Sequence, residues 1–187
     1  MIRECIVTTR GENGNAHVAP MGVHVDDEGL IIAPFKPSAT LENLLRERHA
    51  CINYTDDVRV FAGCLTGRRD WRVRDADQIQ GLRLTEALAH AEVEIARIDE
   101  DELRPRFHCK VVFEATHAPF RGYNRAQAAV LELAILVSRL DRLAFDKIQS
   151  EIEYLKIAIE KTAGPRERQA WDWLMAKVDA HGRRATL

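Results

Sequence analysis

The sequence predicts a mixed fold, mainly β with α: a small barrel or sandwich of short strands, then a helical segment that ends in a helical hairpin. Three observations carry this reading. Up to about residue 118 the apolar residues come in short runs separated by turns rich in Gly, Asn and Asp, as in hairpin-built sheets. Past Pro119 they recur every three or four residues, which is the helical period. The tripeptide "AGP" at 163–165 reads as a helix stop and restart, so the last two helices form an antiparallel pair. The expected division is a strand-rich domain over 1–118 and a helical segment over 119–187, packed on the barrel or on a second copy of it.

Taken in order, "ECIVTT" (Glu4 to Thr9) is the first strand, and "RGENGN" supplies the Gly and Asn of a turn with positive φ. "HVAPMGVHV" (His17 to Val25) follows as its antiparallel partner. "DDEG" is a second turn and "LIIAPF" a third strand, apolar enough to be buried on both faces. A helix covers about Thr40 to Arg48. "ACINYT" and "VRVFAGCL" read as strands, "AEVEIARID" alternates as a strand should, and "FHCKVVFEATH" closes the set. The polar start of "TGRRDWRVRDADQIQGLRLTEALAH" reads as a loop, with a short helix near Leu84 to Leu88. In the second part Asn124 caps a helix from Arg125 to about Leu143, with Val130, Leu131, Leu133, Ala134 and Ile135 on its apolar face. Asp146 caps the next, where Ile148, Ile152, Leu155 and Ile159 recur at intervals of four, three and four. The last helix carries Trp171, Leu174 and Val178 on one stripe.

Composition narrows the function classes. The chain has 187 residues with 46% apolar and 30% charged, enough for a packed core. The net charge of -2 is mixed along the chain, which leaves no basic face for nucleic acid. No apolar run is long enough to span a membrane, and the N-terminus has no signal-peptide pattern, so a cytoplasmic protein is expected. Cys5, Cys51, Cys64 and Cys109 stand far apart with no CxxC pair, and read as reduced core thiols rather than zinc ligands or disulfides.

The chemistry-bearing residues form no known catalytic signature: no GxSxG, HExxH, Walker or GxGxxG pattern is present. His17 and His24 share a strand but stand seven apart, so they point to opposite faces and share no metal. The carboxylates of "YTDDV" and of Asp26 and Asp27 read as turn formers. One stretch invites more. In "FKPSATLENLL", Ser38 and Thr40 fall at the start of a helix, with Lys36 before them and Asn43 after. Capping is the common use of such hydroxyls. A helix N-terminus with free N–H groups also suits an anion. Spacing alone favours the cap.

The order "NAHVAPMGV", then "SATLENL", then "CINYTDDVRVFA" resembles the FMN-binding split-barrel superfamily, which includes flavin reductases and the relatives of pyridoxamine phosphate oxidase. More narrowly the chain is similar to an uncharacterised family of archaeal and bacterial flavoproteins found near tetrahydromethanopterin-linked one-carbon genes. "FRGYNRAQAAVLELAI" and "SRL" match that family's helical segment. The resemblance implies a split β-barrel with FMN as cofactor. It places Val18, Ala19, Pro20, Met21 and Gly22 along the isoalloxazine. Ser38 and Thr40 would hold the phosphate with help from Lys36, while Asn43 and Asn53 would contact phosphate, ribityl or ring. No arginine–lysine phosphate pair of the oxidase type is present, and Arg121 and Arg125 stay without an assigned role. The resemblance further implies a homodimer with flavin at its interface. It implies an oxidoreductase for a small conjugated substrate, with a pterin among the candidates. The alternatives are a flavin-binding carrier, sensor or partner protein without turnover, and a purely structural barrel.

Overall fold

The computed structural model describes residues 1–27 and 29–185. The elements are β1 (Ile2–Arg10), β2 (Ala16–Asp26), β3 (Gly29–Ile32), α1 (Ala39–Glu47), β4 (His49–Tyr54), α2 (Val58–Leu65), β5 (Val73–Asp75) and β6 (Leu82–Leu84), followed by β7 (Ala89–Asp99), β8 (Arg106–Thr116), α3 (Arg125–Val137), α4 (Phe145–Thr162) and α5 (Pro165–Ala185). They divide into two compact units. One comprises Met1–Thr55 and Asp70–Phe120; the other joins Asp56–Arg69 to the chain from Arg121 onward.

The first unit is a closed barrel in the order β1-β2-β3-β8-β7-β4, with a two-stranded sheet β5-β6 beside it. Every barrel pairing is antiparallel. Alternation sets the interior: Cys5, Val7, Val23, Ile32, Ile52, Ala91, Val93, Ile95 and Phe107 meet in one buried cluster, which Leu41 and Leu44 of α1 join. The β1–β2 turn turns on Gly14, whose φ of +80° is the left-handed conformation expected there. Glu28, in the expected second turn, lies outside the described residues. Asp26 accepts from the Gly29 N–H at 3.1 Å, as a turn-forming aspartate does.

Pairing around the barrel is uneven. β1 and β2 pair over nine positions, from Ile2↔His24 to Arg10↔Ala16, whereas β2 meets β3 only through His24, Val25 and Asp26. Ala19 to Val23 therefore have a strand neighbour on the β1 side alone among the described residues. The ring closes through His24 to Asp26, and the rest of β2 presents an open edge.

The second unit has its own core. Val58 and Ala62 of α2 pack with Ala129, Val130 and Leu133 of α3, Ile148, Ile152 and Ile159 of α4, and Trp171, Leu174 and Val178 of α5. Asn124 caps α3 as expected, its Oδ1 accepting from the Ala126 N–H at 2.8 Å, and Pro165 opens α5 after the break at Ala163 and Gly164.

Four element readings are corrected. "VRVFAGCL" is a helix rather than a strand. Its run is apolar except for Arg59, so period cannot distinguish the two, and Asp57 decides by accepting from the Arg59 N–H at 3.1 Å. It packs among the helices, so the barrel half ends at Thr55 and resumes at Asp70. The stretch near Leu84 to Leu88 holds the short strand β6, not a helix. α3 stops at Val137, where the Ser138 hydroxyl donates back to the Ile135 carbonyl at 2.7 Å. α4 starts after Ala144, which places Asp146 in the first turn, near the positive end of the helix dipole, rather than at the cap. All four cysteines are buried and free.

Candidate functional site

The first turn of α1 is the nearest thing to a ligand-ready terminus. Ser38 is its N-cap, in extended conformation, and its Oγ accepts from the Leu41 N–H at 3.3 Å. The N–H groups of Ala39 and Thr40 have no acceptor among the described residues, as the helix geometry dictates. Thr40 is buried against the barrel, and Asn43 lies one turn on. Asn43 donates to Thr9 Oγ1 at 2.9 Å and accepts from Arg46 at 3.0 Å, which ties this face of the helix to β1.

A groove of about 600 Å³ opens beside this turn. Ala39, Glu42, Asn43 and Arg46 line one side; Ala16 and His17 of β2 and the β1–β2 turn line the other. The start of β2 and the first turn of α1 thus face a common space. Beyond His17, β2 continues into its open edge. Met21 and Val23 point into the barrel core, so Val18, Pro20 and Gly22 take the outer face. Gly22 has a packing reason of its own: an added Cβ would come within 2.9 Å of the Ile2 side chain.

Two residues with sequence-assigned contacts are otherwise engaged. Lys36 Nζ is 3.2 Å from Glu100 Oε2, so its charge is already matched. Asn53 has no exposed surface. Its Nδ2 donates to the Ile6 carbonyl at 3.0 Å and to Thr8 Oγ1 at 3.1 Å, and its Oδ1 accepts from the Leu84 N–H at 2.7 Å. Asn53 is a brace between β1, β4 and β6.

A second polar centre was invisible in the sequence. Glu92 and His90, both fully buried, share one face of β7, and His90 Nε2 is 3.0 Å from Glu92 Oε1. The Glu92 carboxylate also accepts from three successive N–H groups, those of Asp77, Gln78 and Ile79, at 2.5, 2.7 and 3.0 Å. Burial alone pushes its carboxyl up; these N–H bonds and His90 override that and hold it below the usual range. His117 Nε2 approaches His90 Nδ1 at 2.9 Å with the rings stacked, and burial, Arg83 and His90 push His117 down. Asp77, His90 and Glu92 offer atoms within 4.8 Å of one another, the spacing of metal ligands. The donors argue otherwise: Glu92 is saturated by N–H groups, and Arg83 Nε lies 3.7 Å from Asp77 Oδ2, where it already balances charge.

Comparison with known proteins fits this fold. Residues 3–118 match the family model described as protein of unknown function (DUF447), N-terminal domain, and residues 124–176 match the companion DUF447 model. The chain belongs to the DUF447 family. An uncharacterised protein of Methanocaldococcus jannaschii is 27% identical over 148 residues, covering 75% of each chain. An FMN-bound protein of the same family from Methanosarcina mazei superposes with a TM-score of 0.81 at 21% identity, over 94% of both chains. An NADH:FAD oxidoreductase from Streptomyces globisporus superposes with a TM-score of 0.53 at 12% identity, covering 63% of this chain and 77% of that one. The DUF447 chain therefore has the split-barrel fold. No helix among the described residues is long and apolar enough to cross a membrane.

Proposed function

We propose that the protein binds FMN along the open edge of β2, with the flavin phosphate at the first turn of α1, and that it is an FMN-dependent oxidoreductase working as a homodimer. The observation that carries this reading is the shared groove, where Ala16 and His17 of β2 face Ala39 and Asn43 of α1 beside two N–H groups without an acceptor among the described residues. Its volume suits a cofactor-sized ligand. The Methanosarcina mazei relative, described as FMN-bound, supports the choice of cofactor.

The residues present fit the phosphate end of such a ligand. Ser38 fixes the helix start, the Ala39 and Thr40 N–H groups at that terminus would donate to a bound phosphate, and the helix dipole would add to them. Ala19, Pro20, Met21 and Gly22 supply an extended backbone with a strand neighbour on the β1 side alone among the described residues, and Val18 leads into them on the same strand. Pro20 costs nothing there, because its missing N–H deprives no strand of a bond on that open side. Asn53 is left out of this cradle. FMN supplies hydride transfer at its N5, and the protein's part is to orient the ring and exclude water. The substrate class in this reading is a small conjugated molecule, such as a pterin.

One observation favours a second reading, a flavin-binding protein without turnover: the five β2 residues along the expected ring offer no titratable side chain. Mass spectrometry of the small molecule that co-purifies tests the first step. FMN is expected; FAD, or no flavin, overturns the cofactor assignment. Anaerobic bleaching by reduced nicotinamide with repeated turnover separates enzyme from carrier.

A further inference from the structure

The β5–β6 excursion is held in an unusual way. Its base closes at the bond from the Thr85 N–H to the Arg72 carbonyl, 3.0 Å, and β5 pairs with β6 through Val73↔Leu84, Arg74↔Arg83 and Asp75↔Leu82. Between these limits six backbone groups are bonded by four barrel side chains. Glu92 takes the N–H groups of Asp77, Gln78 and Ile79. Arg10 donates to the Gln80 carbonyl at 3.3 Å, Thr8 Oγ1 donates to the Leu82 carbonyl at 2.5 Å, and Asn53 accepts from Leu84. The wall under the excursion is correspondingly polar: Thr8, Asn53, His90 and Glu92 are each 1% exposed or less. Leu84 is the one strand residue of β5 or β6 that is buried and apolar.

We propose that residues 72–85 form a strap that lifts from the barrel wall as one cooperative unit, leaving the barrel itself folded. The argument is a comparison of what each opening exposes. Separating two barrel strands bares Ile, Val and Phe side chains to water, which is costly per unit area. Lifting the strap bares an amide, a hydroxyl, a carboxylate and an imidazole, all of which water can satisfy, and one buried apolar side chain, Leu84, so the net cost is a few hydrogen bonds at their modest exchange value plus the burial of a single leucine. The anchors lie on the loop and on β6, while β5–β6 pairing ties the β5 limb to them and keeps the strap rigid. Losing one anchor therefore weakens the whole strap rather than one end of it. The inference is independent of the flavin reading, since every group it uses belongs to the barrel wall or the strap.

Residue-resolved amide hydrogen exchange on the full chain tests it. The N–H groups of Gln78, Ile79 and Leu84 should exchange through one opening with a common free energy, faster than the amides of the β4–β7 ladder. In Glu92→Gln, exchange of Leu84, which Glu92 does not touch, should quicken by the same factor as Gln78, tenfold or more. Faster exchange at Gln78 with Leu84 unchanged overturns the proposal. Should that variant not fold, Thr8→Val removes the hydroxyl under Leu82 and leaves the 77–79 loop untouched; Gln78 and Ile79 must then quicken together with Leu84. Strap amides that exchange only at the rate of the barrel ladder also overturn it.

Discussion

His90 Nε2 and Glu92 Oε1 lie 3.0 Å apart on one face of β7 with no solvent at either side chain. The pair explains how a carboxylate persists under the strap: three N–H groups and an imidazole replace the water it has lost. The Glu92 carboxyl is held below its ordinary value of 4.5, so it contributes stability that is fully present above about pH 4.5 and is lost as pH falls through the lower folded value. His90→Phe removes one of the bonds that holds it down. Acid unfolding followed by circular dichroism should begin at higher pH in that variant than in the parent. An unchanged acid limb would show that His90 contributes nothing to keeping Glu92 ionised.

The α1 terminus supports a second prediction. Replacing Ser38 and Thr40 together by alanine removes the cap and the hydroxyls beside the phosphate site. Cap loss should lower stability by about 1 kcal/mol. Hydrogen bonds to a charged phosphate contribute about 1.5–3 kcal/mol each, so FMN affinity should fall tenfold or more. Fluorescence titration with FMN, paired with thermal unfolding, reads both effects. A stability loss with unchanged affinity would mean that Ser38 is a cap and nothing else.

Much of the fold was legible in the sequence, for identifiable reasons. β1, β2 and α1 carry local signals, namely alternation, a Gly–Asn turn and a hydroxyl cap, and each formed where those signals placed it. α2 was misread because "VRVFAGCL" is apolar apart from Arg59 and its surroundings, not its period, choose the conformation. Glu92 and His90 were missed for a related reason. In "AHAEVEI" a polar face looks solvated, and only the strap, over ten residues away along the chain, buries it. Asn53 shows the converse: its place beside the family pattern suggested a ligand, while its three bonds to Ile6, Thr8 and Leu84 form within the fold.

The cysteines give a third prediction. Burial pushes the thiols of Cys5, Cys51 and Cys109 up to about 12, so almost no thiolate exists at neutral pH. These three should resist a disulfide reagent such as DTNB at pH 8 in the native protein and react at once in denaturant. Mass mapping of labelled peptides identifies which residue reacts. Rapid native labelling of any of the three would mean that the barrel interior opens far more readily than its packing implies.

The last prediction concerns assembly. "VRVFAGCL" spends its apolar surface inside the helical unit, and Leu131, Ile148, Ile152 and Leu155 pack there too, so they need no second chain. Large apolar side chains also reach the surface of the barrel unit. Phe35 is 55% exposed, Leu45 50% and Leu103 68%, and Arg104 stacks over the Phe35 ring at 4.4 Å. Phe35 stands three residues before the α1 N-cap and Leu45 lies in the last turn of α1, so a partner covering both would lie along the helix whose first turn is proposed for the phosphate. An isologous interface of that kind should bury on the order of 2,000 Å² in total. Flavin bound across it would tie cofactor affinity to protein concentration. Light scattering should return twice the chain mass of 21.3 kDa for FMN-loaded protein at micromolar concentration, and Phe35→Asp should shift it toward monomer while weakening FMN binding. A monomer mass with FMN fully bound would put the whole site within one chain.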